Sequence, residues 1–169
     1  EQLATISHAM TAYLESGNWR EASAMILGCA LSQTESKYGF IGVVAEGPVL
    51  RVLSYEGIIW YKVINWEFYE NVLSTYRKVG YIEFTNLDNL FGRVITGGET
   101  VISNDPSKDP RSGGRLPKGH PPLRCFMGVP VFWGGKVVGM IAVANRLGGY
   151  SGIEQSKTEI LCQAAGVLY

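Results

Sequence analysis

The spacing of hydrophobic positions changes from helical to strand-like early in the chain. Apolar residues recur every three or four positions over residues 2–15, which predicts an amphipathic helix. Gly17 ends this helix, and Asn18 with Glu21 forms a capping-box pattern that begins the next one. We therefore assign residues 1–35 to N-terminal helices.

Two strands follow the helices. The segments YGFIGVVAE and VLRVLSYE, which begin at Tyr38 and Val49, are rich in β-branched and aromatic residues. The intervening Glu46-Gly47-Pro48 predicts a turn. Gly39 and Gly42 in the first strand predict a bulge or a close approach by a neighbouring element.

A connector rich in aromatic residues spans residues 57–87. Its aromatic and aliphatic residues repeat at helical spacing, which predicts a helix over about residues 66–78. An aromatic helix face is more often core than a cofactor site, but each buried Tyr hydroxyl or Trp nitrogen needs a hydrogen-bond partner. A ligand pocket is one possible source of such partners.

The second half of the chain begins with a short predicted helix. It starts at Asn86 or Asp88 and stops at Gly97-Gly98, since glycines commonly follow the last helical turn. Residues 99–103 predict a strand. Five of the seven prolines then fall within a polar loop over residues 104–122, which excludes regular structure there.

The strongest local pattern is a hairpin that follows this loop. Two apolar runs, CFMGVPVF and VVGMIAVA, are joined by Trp-Gly-Gly-Lys, a typical turn between paired strands. Because both runs are apolar on both faces, we expect both sides of the sheet to be covered. Pro130 predicts an edge position or a bulge. The sheet region is thus 38–145, and a capping box at Ser151 and Glu154 begins a last helix over 153–169.

The totals indicate one domain and exclude several classes of partner. The chain has 169 residues and a formal net charge of zero, so no overall field favours nucleic acid or an anionic membrane surface. Its apolar runs are shorter than the roughly 18 residues that a membrane span needs, so we expect no direct membrane insertion. It does not begin with Met. We expect a single domain, residues 1–169, excised from a longer chain.

The three cysteines do not form a recognisable framework. Cys29, Cys125 and Cys162 are odd in number, scattered and surrounded by apolar residues. A disulfide scaffold has an even number of cysteines, and a structural zinc site has close Cys pairs. We interpret all three as buried thiols in a reducing compartment, and expect a cytoplasmic protein without a metal site.

The loop carries a local surplus of positive charge. Residues 104–124 contain five Lys or Arg and two Asp in a chain that is neutral overall. Guanidinium groups offer paired donors to carboxylates and phosphates. We therefore predict a lid over an anionic or strongly polar ligand, with a solvated surface loop as the alternative.

Two segments of the second half resemble the GAF domain. They are LFGRVITGGETVISNDP, from Leu90, and GHPPLRCFMGVPVFWGGKVVGMIAVANRLGGYS, from Gly119. The resemblance is to sensory GAF modules of bacterial multidomain signalling proteins, such as sensor histidine kinases of two-component systems and diguanylate cyclases. It implies an α+β, PAS-related fold with a central antiparallel sheet of about six strands. Terminal helices would pack on one face, with a ligand pocket on the other.

The resemblance also implies a function. Such a module is non-catalytic, binds a small molecule and signals through terminal helices that pair in a homodimer next to an output domain. Neither the ligand nor a cofactor is identified by the sequence. The ligand-contact residues that we predict are Trp60, Tyr69, Phe91, Asp105, Arg111, His120, Arg124 and Met127.

The sequence departs from the patterns of family members that bind bilins, cyclic nucleotides or haem. Phe126 follows Cys125 where bilin-binding members have a Cys-His pair, and the signature of cyclic-nucleotide binders is not recognisable. Pro121 after His120 favours a structural rather than a haem-binding histidine. The alternatives are a free methionine sulfoxide reductase, which needs a nucleophilic and a resolving thiol, or a dimerisation module without ligand. A PAS domain would have a different strand order.

Overall fold

The computed structural model describes most of the chain, namely residues 2–47, 49–57, 66–113, 116 and 120–169, with only the backbone described for 66–69. The helices are α1 (Gln2–Ser16), α2 (Trp19–Thr34), α3 (Trp66–Val79), α4 (Leu90–Gly97) and α5 (Gly152–Leu168). The strands are β1 (Tyr38–Ala45), β2 (Val49–Glu56), β3 (Ile82–Phe84), β4 (Val101–Ser103), β5 (Phe126–Trp133) and β6 (Lys136–Ala144).

All six strands form one sheet in the order β3-β2-β1-β6-β5-β4. Every neighbouring pair is antiparallel. The predicted α+β fold with a six-stranded antiparallel sheet is confirmed. The long β5–β6 hairpin lies near the middle, so both of its faces are available for packing.

The two faces of the sheet carry separate hydrophobic clusters. Alternate residues of β5, such as Met127 and Val129, join a cluster with α1, α2 and α5. The intervening positions, such as Phe126, join a second cluster with Met140 of β6 and Val94 of α4. Successive strand side chains point to opposite faces, so two apolar faces need two covering layers. The prediction that both sides are covered is confirmed.

The hairpin turn forms as the Gly-Gly pair predicts. Gly134 and Gly135 have φ values of 56° and 76°, which suit glycine in a two-residue turn. The strand β4 pairs with β5 only at residues 126–128, so Pro130 lies where β5 has become an edge. A register irregularity between Val131 and Phe132 follows it. Pro130 therefore lies at an edge position and close to a bulge, the two alternatives that the sequence predicted.

The first strand contains the predicted bulge. The pairing of β1 with β2 shifts between Ile41 and Gly42. A Cβ added at Gly39 would overlap the carbonyl oxygen of Ala142 in the neighbouring strand β6. Gly42 therefore lies at the bulge and Gly39 at a close approach to β6, the two features that the sequence predicted for these glycines.

Helix caps agree with the sequence at two of three places. The Asn18 side chain accepts a hydrogen bond from Glu21 N at 3.3 Å, and Ser151 with Glu154 forms a complete capping box. The start of α4 was predicted wrongly, because Asn89 is its cap and accepts from Gly92 N at 2.9 Å. Asn86 instead accepts from Asp88 N, one turn earlier.

Two loop boundaries also differ from prediction. The strand β4 begins at Val101 rather than at residue 99. A 3-10 turn, Pro110–Ser112, lies inside the loop where regular structure was excluded. Proline at its first position is compatible with such a turn, since its missing N–H would have no partner there. The loop is thus more ordered near β4 than its proline content predicts.

The helix α3 confirms the predicted helix in the aromatic connector. Tyr76 on this helix donates its hydroxyl hydrogen to Leu53 O at 2.9 Å. The centroid of the Tyr76 ring lies 5.1 Å from that of the Tyr55 ring. The Arg20 guanidinium lies 5.0 Å from the centroid of the Tyr76 ring. Tyr76 therefore anchors α3 to the sheet.

Among the described residues, no helix is both long and apolar enough to span a membrane.

Candidate functional site

A shallow recess lies beside the edge strand β4. It has a volume of about 440 Å³ and is lined by residues 102–105 and 108–111, which we call the loop recess. Two of the predicted ligand-contact residues, Asp105 and Arg111, lie in its wall. The 3-10 turn brings them together by folding the loop back along β4.

Asp109 holds this turn in place. Its Oδ1 accepts from Arg111 N at 2.9 Å and Nε at 3.0 Å, and its Oδ2 accepts from Arg111 Nη2 at 2.7 Å. Hydrogen bonds from Arg111 hold the pKa of Asp109 well below its usual range, although partial burial acts in the opposite direction. The pair therefore stays ionised and forms a fixed, bidentate contact.

Arg111 also satisfies the open edge of the sheet. Its Nη2 donates to Ile102 O at 2.9 Å, on the edge strand β4. Edge strands present unpaired backbone groups that other chains can bind, and covering them prevents such pairing. Arg111 thus covers a backbone group of the edge strand, and its charge is balanced by that of Asp109.

Asp105 is paired within its own turn. The Ser107 hydroxyl donates to its Oδ1 at 2.6 Å, and Lys108 Nζ lies 3.0 Å from its Oδ2. The Ser107 hydrogen bond, followed by Lys108, lowers the pKa of Asp105. The recess therefore contains two carboxylates and two cations in two internal pairs. The positive surplus that the sequence shows does not reside in its walls.

The predicted residues His120 and Arg124 lie on a second segment of the loop, residues 120–124, which we call the rim. The Arg124 side chain is exposed, and its backbone N donates to Asn145 Oδ1 at 2.7 Å. Among the described loop residues, no ion pair involves the Arg124 guanidinium. Arg124 is accordingly a cation that a solute can reach.

His120 is half-buried beside the ring of Tyr38. The ring centroids are 6.2 Å apart at an interplanar angle of 71°. His120 Nδ1 lies 2.7 Å from Pro121 O, so Nδ1 carries the hydrogen and Nε2 is the acceptor nitrogen. Burial lowers the pKa of His120, while the contact with Pro121 acts in the opposite direction. The imidazole is neutral at pH 7.

Polar residues that the sequence did not single out anchor the rim. Asn145, at the end of β6, has a φ of 61° and donates from Nδ2 to Pro122 O at 2.7 Å. Tyr38 donates its hydroxyl hydrogen to the same carbonyl at 3.3 Å, and burial raises its pKa. Asn145 lies in the segment from Gly119 that resembles the GAF domain, so the sequence contained a signal at this residue but did not indicate its hydrogen-bonding role. Its left-handed backbone is tolerated because Asn is among the few residues that adopt it.

Asn104 joins the loop to the last turn before α5. Its Oδ1 accepts from Tyr150 N at 2.8 Å, and its Nδ2 donates to Tyr150 O at 3.0 Å. The Tyr150 hydroxyl lies 2.7 Å from the hydroxyl of Ser36, at the end of α2. The first residue of the loop is therefore connected by side-chain hydrogen bonds to the turn before α5 and, through Tyr150, to the segment that follows α2.

The three thiols are buried. Cys125, next to the rim, donates to Arg146 O at 3.4 Å, and burial raises its pKa. Burial also raises the pKa of Cys162, which donates weakly to Val129 O at 3.6 Å. Cys29 lies in the same cluster as these two, on the face covered by α1, α2 and α5. The interpretation of the three cysteines as small buried side chains is confirmed.

The other predicted contact residues are spread over the molecule. Phe91 on α4 packs in the second cluster, with its ring 6.2 Å from that of Phe40. Met127 is completely buried in the first cluster, on the opposite face of the sheet. Trp60 and the side chain of Tyr69 lie outside the described residues. In the described part, no three His, Cys, Asp or Glu side chains are grouped as a metal site would require.

Solved structures share this fold at low sequence identity. The GAF domain of a phosphoenolpyruvate-protein phosphotransferase from Acinetobacter matches 99% of this chain and 91% of its own, with 18% identity and a TM-score of 0.70. A methyl-accepting chemotaxis protein, residues 122 to 287, matches 97% of this chain and 93% of its own, with 12% identity and a TM-score of 0.70. Free methionine-R-sulfoxide reductase from Neisseria meningitidis, in complex with its substrate, matches 99% and 87%, with 12% identity and a TM-score of 0.68. At these identities the likeness concerns the fold alone.

Sequence comparison points to the same family. A search of curated proteins found no significant match. The family model for the GAF domain matches residues 20–168, which is most of the chain. This match covers α2, the whole sheet and α5. The chain belongs to the GAF domain family.

Proposed function

We propose that this GAF domain is a non-catalytic regulatory module that binds a small polar molecule at the rim. Binding biases the terminal helices, which act on an output domain in the same parent chain. The parent would be a cytoplasmic bacterial signalling protein, such as a sensor histidine kinase or a diguanylate cyclase. A ligand has this effect only if it binds one arrangement of the loop more tightly than the other.

The observation that carries this proposal is the difference between the two faces of the sheet. One face is sealed by α1, α2 and α5, with Met127 and Ile141 fully buried beneath them. The other face has the eight-residue helix α4 over the second cluster. Loop-borne sites on a rigid scaffold are where binding residues usually lie. The rim and the loop recess supply such a site.

The charges of the loop favour a ligand with an anionic group at the rim. Arg111 and Lys108 are neutralised by their Asp partners, whereas the Arg124 side chain is exposed. Neutral His120 adds an acceptor nitrogen. We therefore give His120 and Arg124 priority as ligand contacts. Contact with Phe91 requires a ligand that reaches α4.

Buried thiols favour binding over reductase chemistry. A methionine sulfoxide reductase needs a thiolate nucleophile and a resolving thiol that can meet it. The pKa values of Cys125 and Cys162 are raised by burial, which lowers their thiolate fraction at pH 7. A non-catalytic role is therefore the better fit to these side chains.

The exposed face of α5 supports pairing of two copies. Ile153, Ile160 and Val167 follow one another at seven-residue spacing and are 67%, 45% and 61% exposed. Apolar residues at this spacing lie in a row along one side of a helix, as do the residues at one of the two core positions of a coiled coil. We propose that this stripe is the homodimer contact and the route to the output domain. The alternative is a module that forms a dimer through this stripe and binds no ligand.

Thermal unfolding in the presence of small metabolites tests ligand binding. We expect at least one compound with a carboxylate or phosphate group to raise the Tm by about 5–10 °C at a concentration of about 100 Kd. Arg124→Ala should lose most of this shift. The substitution leaves the backbone hydrogen bond from Arg124 N to Asn145 intact.

Lys136→Ala is the matched control, because Lys136 is an exposed cation at the opposite end of the hairpin. This variant should respond to the ligand as the unmodified protein does. If no compound shifts the Tm, or if Arg124→Ala responds fully, the proposed binding at the rim is wrong.

A further inference from the structure

The strand β5 has a helix on each side. On one face, a Cβ added at Gly128 would lie 2.8 Å from Val94 Cγ2 of α4. On the other, Cys162 of α5 contacts Val129 O at 3.6 Å. Packing that leaves no room for an added Cβ allows little freedom for α4 to move without the strand. The strand β5 is therefore packed directly against α4 on one face of the sheet and against α5 on the other.

Contacts to both helices converge at Phe132, near the tip of the β5–β6 hairpin. A Cβ added at Gly98, the cap of α4, would lie 3.7 Å from Phe132 Cζ and 3.4 Å from Val137 Cγ2. A Cβ added at Gly166 of α5 would overlap the carbonyl oxygen of Phe132. Phe132 thus approaches α4 with its ring and α5 with its backbone.

Local features of the sequence make this double contact possible. The irregularity between Val131 and Phe132 turns the backbone, since bulges increase the local twist and redirect neighbouring groups. Gly166 is buried in the last turn of α5, and glycine within a helix costs up to about 1 kcal/mol relative to alanine. A close approach of the Phe132 backbone explains why glycine is present at this position.

We propose that the tip of the β5–β6 hairpin, through Phe132, couples α4 to the last turn of α5. A ligand that moves α4 would then shift Phe132 and, through its carbonyl, the end of the helix that leads to the output domain. This inference rests on the proposed function for its biological meaning. The mechanical coupling itself is a property of the free domain.

Hydrogen exchange of the free domain, followed by mass spectrometry, tests the coupling in both directions. Phe132→Ala removes the ring beside Gly98 and keeps the carbonyl beside Gly166. We expect the amides of α5 after Cys162 to exchange about fivefold faster, the lower end of typical coupling between sites. Gly166→Ala should raise exchange in the last turn of α4 by a similar factor, because such coupling is reciprocal.

Two controls separate coupling from general loosening. Trp133→Ala truncates the next exposed aromatic residue, and Gly152→Ala adds a Cβ to α5 where nothing lies within 4 Å. Both should leave exchange in α4 and in the end of α5 unchanged. If the effect of Phe132→Ala stays within β5 and α4, the coupling is overturned, even if Gly166→Ala fails to fold. No ligand is used, so failure to find a ligand would not affect this result.

Discussion

At the residue scale, the charged side chains that the structure describes in the loop are either paired with one another or exposed without an ion pair. Asp109 and Arg111 form a bidentate pair that also covers Ile102 O on β4. Asp105 is paired with Lys108, whereas Arg124 projects into solvent. A sequence shows only the number of charges, and partners decide which of them remain available. Lys108 and Arg111 are each paired with an aspartate, so the walls of the recess carry no net charge.

The pH dependence of stability checks the role of Asp109. Its folded-state pKa is lowered, chiefly by Arg111, so its contribution exists above the unfolded pKa of about 4 and is lost as the pH falls below that value. Asp109→Asn should lower the free energy of unfolding by about 1 kcal/mol at pH 7, since solvent near the loop weakens the pair. The difference from the unmodified protein should shrink in urea titrations between pH 4 and pH 2.5.

Asp88→Asn serves as the control for this measurement. The Asp88 carboxylate pairs with Arg93 at 3.1 Å but is 78% exposed, so we expect a change under about 0.5 kcal/mol. A difference for Asp109→Asn that stays constant from pH 7 to pH 2.5 would contradict the assigned role.

At the element scale, the hairpin β5–β6 organises the sheet. Its strands pair from Phe126 and Ala144 at the rim to Trp133 and Lys136 at the turn. One side of the hairpin pairs with β1 and the other with β4. The turn was predictable because two glycines between apolar runs allow positive φ at both positions. The bounds of α4 were less predictable, because three side chains near its start, Asn86, Asp88 and Asn89, can all act as caps.

The hairpin turn can be tested by one substitution. Gly134 has a φ of 56° and no atom within 4 Å of an added Cβ, so Gly134→Ala introduces backbone strain without a clash. We expect a loss of about 1–2 kcal/mol in the free energy of unfolding, measured by urea denaturation. Gly152→Ala, also without neighbours, should be neutral or stabilising by up to about 1 kcal/mol. Equal effects of the two substitutions would show that strain in the turn is not the cause.

At the scale of the whole molecule, the two sheet faces have different roles. The face under α1, α2 and α5 is a large, closed cluster that includes all three cysteines. The face under α4 is smaller and borders the loop. Exposed apolar residues on α5 then define an outer surface that the monomer leaves uncovered. A signal from α4 has to cross the sheet to reach it.

Association through α5 predicts a defined oligomeric state. The unmodified chain, 18.5 kDa as a monomer, should elute as a dimer in size-exclusion chromatography with light scattering. Ile160→Arg places a charge in the middle of the stripe and should give a monomer, since a buried unpaired charge is strongly unfavourable. Leu147→Arg changes an apolar residue that is 93% exposed in a turn and should remain dimeric. A dimer that persists in Ile160→Arg would exclude the stripe as the interface.

Much of the architecture was determined by the sequence itself. Helical spacing, the two capping boxes, the Gly-Gly turn and the apolar runs predicted every described helix and five of the six strands. These patterns are local, because a helix or hairpin is specified by residues close together in the chain. The short strand β3 (Ile82–Phe84) was missed, since it depends on pairing with β2 across the aromatic connector.

The tertiary structure decided which residues meet. Asn145 reaches Pro122, Asn104 reaches Tyr150 and Phe132 reaches Gly166, each across more than 20 positions of sequence. It also separated Met127 from Phe91, because alternate strand positions face opposite sides of the sheet. Side chains from distant segments come together only when the sheet order and the register are set. For that reason, the sequence by itself determined the family and the elements, and the fold decided the neighbours of each residue at the rim.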